Sequence, residues 1–101
     1  VAQEETAGAY TFGLDQTHPN PFNPMTTIRY SLGEPSEVRL IVYNVLGQQV
    51  RVLTNAFQNA GQYEVMWDGH DALGRDVSSG LYLYRLQAGS NLVVRKMLFT
   101  K

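Results

Sequence analysis

The chain has no cysteine. Cross-links become necessary mainly in domains too small to build a core, and 101 residues suffice for one core without them, so an extracellular setting stays open. An excess of one charge sign is also missing. Eight basic and nine acidic residues are interspersed, for a net charge of −1, which removes the electrostatic footprint of a nucleic-acid binder. No apolar run approaches the roughly 20 residues of a spanning helix. The opening "VAQEETAGAY" carries neither a basic nor an apolar signal region, so no membrane insertion is expected. There is no initial Met, which suggests a piece of something larger.

What the chain does have is alternation and turns. Residues 1–15 read as a linker, small and polar at first, although "YTFGL" within it is a candidate short strand. "HPNPFNP" follows. Its prolines remove donors and fix φ, so Thr17 to Pro24 is neither helix nor central strand, and Phe22 is the residue able to plug one end of a core. Ile28, Tyr30 and Leu32 then alternate with polar residues, the signature of a half-buried strand. Val38, Leu40 and Val42 alternate with Arg39, Ile41 and Tyr43, a strand with apolar bulk on both faces. "NVLG" supplies a turn before "QQVRVL", and "TNAFQNAG" reads as a loop carrying the chain from one sheet to the other. Tyr63, Val65 and the single Trp67 share one face of the next strand, and a large aromatic between two sheets fills a small core well. "LYLYRLQ" and "NLVVRKMLF" form a last hairpin. These segments predict one all-β antiparallel sandwich of about seven strands over 16–101.

The search for chemistry returns little. His18 stands beside the proline loop and His70 in the aspartate loop, where each reads as a solvated turn residue rather than the base of a nucleophilic site, and no enzyme activity or cofactor is expected. The loop "DGHDALGRDVSSG" offers Asp68, Asp71 and Asp76 as oxygen ligands for a hard cation such as calcium. Asp and Gly are also default turn formers, and the plain turn is the preferred reading of the two. Tyr43, Tyr82 and Tyr84 are candidates for stacking on a glycan, against ordinary cross-strand packing.

"HPNPFNPMTTIRYSL", "VRLIVYNVLGQQVRVL" and "GQYEVMWDGHDALGRDVSSGLYLYRLQAG" resemble, in order, the motifs of C-terminal sorting domains of the type IX secretion system, and "VRKMLFTK" is similar to that family's ending. His18 and Met25 are mild departures, at places where the family often has Tyr and Thr. The "WDGxDxxG" part is shared with the immunoglobulin-like domain of flagellar hook-capping proteins, so the resemblance implies an Ig-like sandwich. It further implies a non-catalytic tag behind an N-terminal passenger, carried through the periplasm of a Gram-negative bacterium to an outer-membrane translocon. A sortase-like surface peptidase then cuts in the linker, and the passenger is attached to the cell surface or released. Within that picture the final strand is the expected recognition element, through Arg95, Lys96, Met97 and Lys101, since an edge strand offers charge and free backbone groups. Other roles carried forward are a self-associating structural module of a surface protein and a glycan- or calcium-binding accessory domain.

Overall fold

The computed structural model describes residues 10–17 and 25–100. The proline doorstep with its Phe22 plug, the first nine residues of the expected linker and Lys101 lie outside them. The described residues contain no helix, and their seven strands form two antiparallel sheets, as the alternation predicts. One sheet has the order β1 (Gly13–Leu14), β2 (Thr26–Leu32), β5 (Gly61–Trp67). The other has the order β4 (Gln49–Gln58), β3 (Ser36–Asn44), β6 (Gly80–Ala88), β7 (Asn91–Phe99).

Period-2 patterning decides which face of each strand is inside. Ile28, Tyr30 and Leu32 of β2 are buried against Val38, Leu40 and Val42 of β3 and Tyr82, Tyr84 and Leu86 of β6 in one core. Register makes this possible: Leu40 lies opposite Leu86 and Val42 opposite Tyr84. Tyr30 stacks on its β5 partner Tyr63, ring centres 5.3 Å apart. Trp67 is buried between the sheets, edge-on to Tyr82 at 5.4 Å and tilted against Phe99 at 6.3 Å. Its indole N–H donates to the His70 carbonyl at 2.9 Å, so its polar atom is satisfied in the core. Ile41 points the other way from Val42 and is still only 1 % exposed, in a row with Val52 and Arg85 on the outer face. This is the apolar bulk expected on both sides of β3.

Two boundaries differ from expectation. The segment read as a sheet-to-sheet loop from Thr54 to Gly61 is strand as far as Gln58, and residues 59–60 alone make the crossing. Pairing overrides the local turn chemistry, because Thr54, Ala56 and Phe57 find partners in Leu40, Val38 and Glu37. Near the start, the strand sought in "YTFGL" is confined to Gly13–Leu14, inside the stretch also assigned to the linker. Leu14 is buried in the core and pairs with Tyr30. The folded unit thus includes residues ahead of position 16.

Candidate functional site

β7 is an edge strand, as expected, and the chain around β1 partly closes that edge. Arg95 Nε donates to the Leu14 carbonyl, reaching from one sheet to the other. Gln16 Nε2 donates to the Lys96 carbonyl at 2.7 Å, so an outward acceptor of β7 is already occupied. The Tyr84 hydroxyl donates to the Asp15 carbonyl at 2.8 Å and accepts from the Thr17 N–H at 3.0 Å, while the Asp15 N–H donates to the Arg29 carbonyl at 2.9 Å. Burial raises the Tyr84 hydroxyl above the ordinary tyrosine range, which keeps it protonated and able to donate. Residues 14–17 are therefore stitched to the second sheet through a core tyrosine and two side chains.

Of the four residues expected to be read on the final strand, the structure brings Arg95 and Lys96 to the surface on opposite faces of β7. Lys96 shares the outer face with its partner Leu83, whereas Arg95 lies beside Tyr84 on the inner face. Met97 is 1 % exposed and belongs to the core. Its place in the fold is structural, and nothing that touches only the surface of the folded domain reaches its side chain.

Tyr84→Phe keeps the ring and removes the hydroxyl, leaving the buried Thr17 N–H and the Asp15 carbonyl without this partner. The expected cost is about 1–3 kcal/mol. Amide exchange should rise selectively over residues 14–17, and unchanged exchange there would contradict the stitched edge.

The aspartate loop follows β5 and is self-contained. Asp68 Oδ1 accepts from the His70 N–H at 3.1 Å and stands 3.5 Å from Arg51 Nη1. Asp76 Oδ1 is 2.8 Å from His70 Nε2. Asp71 Oδ1 accepts from the N–H groups of Leu73 and Arg75 at 2.9 and 3.0 Å, and its Oδ2 accepts from Arg75 Nε at 3.1 Å. Asp68 and Asp76 thus turn to the two sides of His70 and Asp71 to Leu73 and Arg75, and no group of metal-ligating residues converges among the described residues. The arrangement is that of a folded turn, with an antiparallel bridge between His70 and Asp76 closing it.

Charge contributes to that turn. The Arg75 backbone donor, then that of Leu73 and the Arg75 charge, hold Asp71 below the ordinary carboxylate range in spite of slight desolvation. Partial burial pushes Asp68 upward, but the His70 ring, the His70 N–H and the Arg51 charge outweigh it and leave it lowered as well. A group with a depressed folded pKa contributes stability above its unfolded pKa and loses it as pH falls through the folded value. Asp71→Asn should therefore lower Tm at pH 7. The gap to wild type should close below about pH 4, where the unfolded carboxyl begins to protonate; a gap independent of pH would exclude this charge contribution.

The three tyrosines considered for glycan stacking do not form an open platform. Tyr84 and Tyr82 are core residues, the latter donating to the Ser78 carbonyl at 2.7 Å, and the Tyr43 ring lies under the Arg85 guanidinium at 5.1 Å.

The sequence reading missed a feature that the structure makes plain. Residues 44–48, "NVLGQ", and residues 71–75, "DALGR", form the same turn twice. In the first, Asn44 Oδ1 accepts from the Leu46 and Gln48 N–H groups at 2.9 and 3.0 Å, as Asp71 Oδ1 does in the second. Asn44 and Asp71 each accept from the following glycine's N–H at 3.0 Å through the main-chain carbonyl, and each donates its own N–H back across the turn, to Gln48 and to Arg75. Gly47 and Gly74 have φ of 83° and 81°, a region that favours glycine. An Asx residue two before a leucine and three before a glycine was the available signal.

The chain matches the family model described as the FlgD Ig-like domain over residues 24–91, more than half its length. It belongs to the FlgD Ig-like domain family. Among solved structures, this FlgD Ig-like domain is similar to FlgD from P. aeruginosa, with a TM-score of 0.58 and 25 % identity over 73 % of this chain and 57 % of that one. It has the fold of part of the dimeric latent PorU of Porphyromonas gingivalis, with a TM-score of 0.69 and 21 % identity over 89 % of this chain and 9 % of that one. It also has the fold of part of PorZ, described as an essential bacterial surface component of the type-IX secretion system of Porphyromonas gingivalis, with a TM-score of 0.60 and 18 % identity over 89 % of this chain and 11 % of that one. The chain thus spans about a tenth of PorU and of PorZ. No curated protein sequence matches it.

Proposed function

We propose that this FlgD Ig-like domain is a non-catalytic C-terminal sorting tag. It follows an N-terminal passenger, crosses the periplasm of a Gram-negative bacterium, and is recognised by the type IX outer-membrane translocon for surface attachment or release of that passenger. The observation that carries this reading is the similarity of nearly the whole domain to a small part of PorZ, a protein described as a type-IX surface component. The ordered motifs from His18 to Lys101 that resemble the sorting domains of that system support it independently.

The structure supplies physical detail for the reading. A sortase-like peptidase needs extended, accessible chain; Gly13 and Leu14 are paired with β2 and Leu14 is buried, which supports a cut ahead of Gly13. The translocon reads the surface near β7 through Arg95, Lys96 and Lys101, while Met97 holds the strand in place from inside.

The test is a fusion of residues 1–101 behind a passenger, expressed in a bacterium with a working type IX system. The passenger should reach the cell surface or medium, and should remain inside when the translocon is deleted. Retention of the fusion in the intact strain, or export that ignores the deletion, would refute the reading.

A further inference from the structure

Unpaired main-chain groups on a sheet edge recruit further strands unless something blocks them, and the edges of this sandwich are blocked by several means. β1 is only two residues long. On β7 the outward Lys96 carbonyl is taken by Gln16. The first half of β4 is irregular, with register shifts at Leu40/Ile41 and Val42/Tyr43, and its Val50 carbonyl accepts from the Ala72 N–H at 3.1 Å. β5, at the edge of the smaller sheet, carries the charge of Glu64, paired with Arg29 Nε at 2.7 Å. Residues 54–58 of β4 have none of these devices. Their pairing with β3 is regular, and the sequence holds neither a charge nor a proline from Val52 to Tyr63.

The ladder fixes where the main-chain groups of that stretch point. The Gly89 N–H donates to the Glu37 carbonyl at 3.2 Å, so Glu37 turns its backbone groups toward β6 and not toward β4. Bonded and non-bonded pairs alternate along an antiparallel ladder. Phe57, opposite Glu37, and Asn55, opposite Arg39, therefore turn their N–H and C=O groups away from β3, on the side where β4 ends the sheet. No hydrogen bond reaches these groups among the described residues. From within, the strand is held in place by Tyr30, whose hydroxyl donates to Gln58 Oε1 at 2.6 Å and is hydrogen-bonded to the Thr54 side chain. Asn55, Ala56 and Phe57 are exposed, Phe57 at 59 %. The result is a preorganised, uncharged edge with two outward donor and acceptor sets beside an exposed phenylalanine.

Hydrogen-bond geometry makes the occupant another extended strand. A second copy of the same segment matches it. Run antiparallel about a two-fold axis at Ala56, Asn55 of each copy lies opposite Phe57 of the other, and the outward groups meet in two bonded pairs. Neither strand brings a charge to oppose the approach, and the two Phe57 rings become diagonal neighbours within aromatic reach. Each copy spends its one unblocked edge stretch on the pairing, so assembly closes at two.

We propose that residues 54–58 of β4 are a strand-addition edge that pairs two copies of this domain, joining their four-stranded sheets edge to edge. The paired stretch is short, so the dimer is weak and dissociates on dilution. The proposal rests on the fold and stands apart from the sorting reading.

Sedimentation equilibrium of the 101-residue chain over a range of concentrations tests this. Wild type should pass reversibly from monomer to dimer, with no larger species. Amide exchange should slow at Asn55 and Phe57 as the dimer forms, whereas Ala56, bonded to β3, should be protected in both states. Phe57→Pro removes an outward N–H without breaking a bond to β3, and Asn55→Lys/Phe57→Lys sets lysine opposite lysine across the two-fold. Each should remain folded by circular dichroism and raise the dimer Kd by about tenfold or more; if the proline variant unfolds, the lysine pair decides. Asn55→Glu/Phe57→Lys sets unlike charges opposite one another and should restore the dimer. Met66→Lys, at an exposed site on β5, should leave it unchanged. A wild-type chain that stays monomeric up to its solubility limit would overturn the proposal. So would a dimer that the folded lysine pair leaves intact, open-ended assembly, or an equal loss in Met66→Lys. Protection of Asn55 and Phe57 that appears only when a passenger is fused would overturn the choice of a second copy and assign the edge to a passenger strand.

Discussion

Trp67→Ala should cost about 3–5 kcal/mol, the range for removing a large buried aromatic. Domains of this size are stable by only about 5–15 kcal/mol, and each kcal/mol is worth several degrees in Tm, so the expected fall is on the order of 15 °C or more. Three losses combine. The cavity opens between the sheets where Trp67 meets Tyr82 and Phe99, the edge-on ring contact disappears, and the His70 carbonyl loses the indole donor that ties the aspartate loop to the core. Trp67→Phe separates them, because it refills most of the cavity and leaves the carbonyl unpartnered by the indole. It should recover more than half of the loss. A Trp67→Ala variant that melts within a few degrees of wild type would contradict the placement of this residue at the centre of the core.

Met97→Ala should cost about 2–5 kcal/mol, the second largest effect. It matters more for function than its size suggests. Met97 stands among the residues through which the terminal strand is expected to be recognised, and it is buried with Phe99. Deleting Met97 to Lys101 removes both core side chains and part of the pairing of β7 with Gly80, Leu81 and Tyr82. Loss of export in such a truncation therefore reports unfolding as readily as loss of a signal. Lys96→Glu is the cleaner probe, because Lys96 is exposed on the outer face and its substitution leaves the core intact. Thermal melts of Met97→Ala and Lys96→Glu distinguish the two roles: a large drop for the first and nearly none for the second. The reverse order would place Met97 outside the core.

Much of this was legible in the sequence because the relevant signals were local. Alternation along Ile28, Tyr30 and Leu32 announced a half-buried strand, and the apolar run from Leu40 to Val42 announced one covered on both sides, which Ile41 bears out. Trp67 was readable as the core aromatic from its place in the β5 alternation. What escaped depends on partners far away in the chain. β4 runs on through Asn55 because Arg39 pairs with it, and Asn in isolation argues for a turn. The closure of the β7 edge joins Leu14 and Gln16 to Arg95 and Lys96 across some 80 positions, which no local pattern foretells. The exposure of Leu46 and Leu73 on the two matching turns escaped for another reason. The flanking Asx and Gly residues read correctly as turns, and a leucine within a turn carries no periodicity to say whether it faces in or out.

The central claim is that the folded sandwich, and not a linear tail, is the unit that carries the passenger. Delivery of one passenger by residues 1–101 and by residues 92–101 alone, compared in the same type IX host, tests this most directly. The account predicts surface delivery with the whole domain and none above background with the ten-residue tail. Equal delivery by the tail would contradict it, since that segment keeps Arg95, Lys96 and Lys101 but none of the strands that position them.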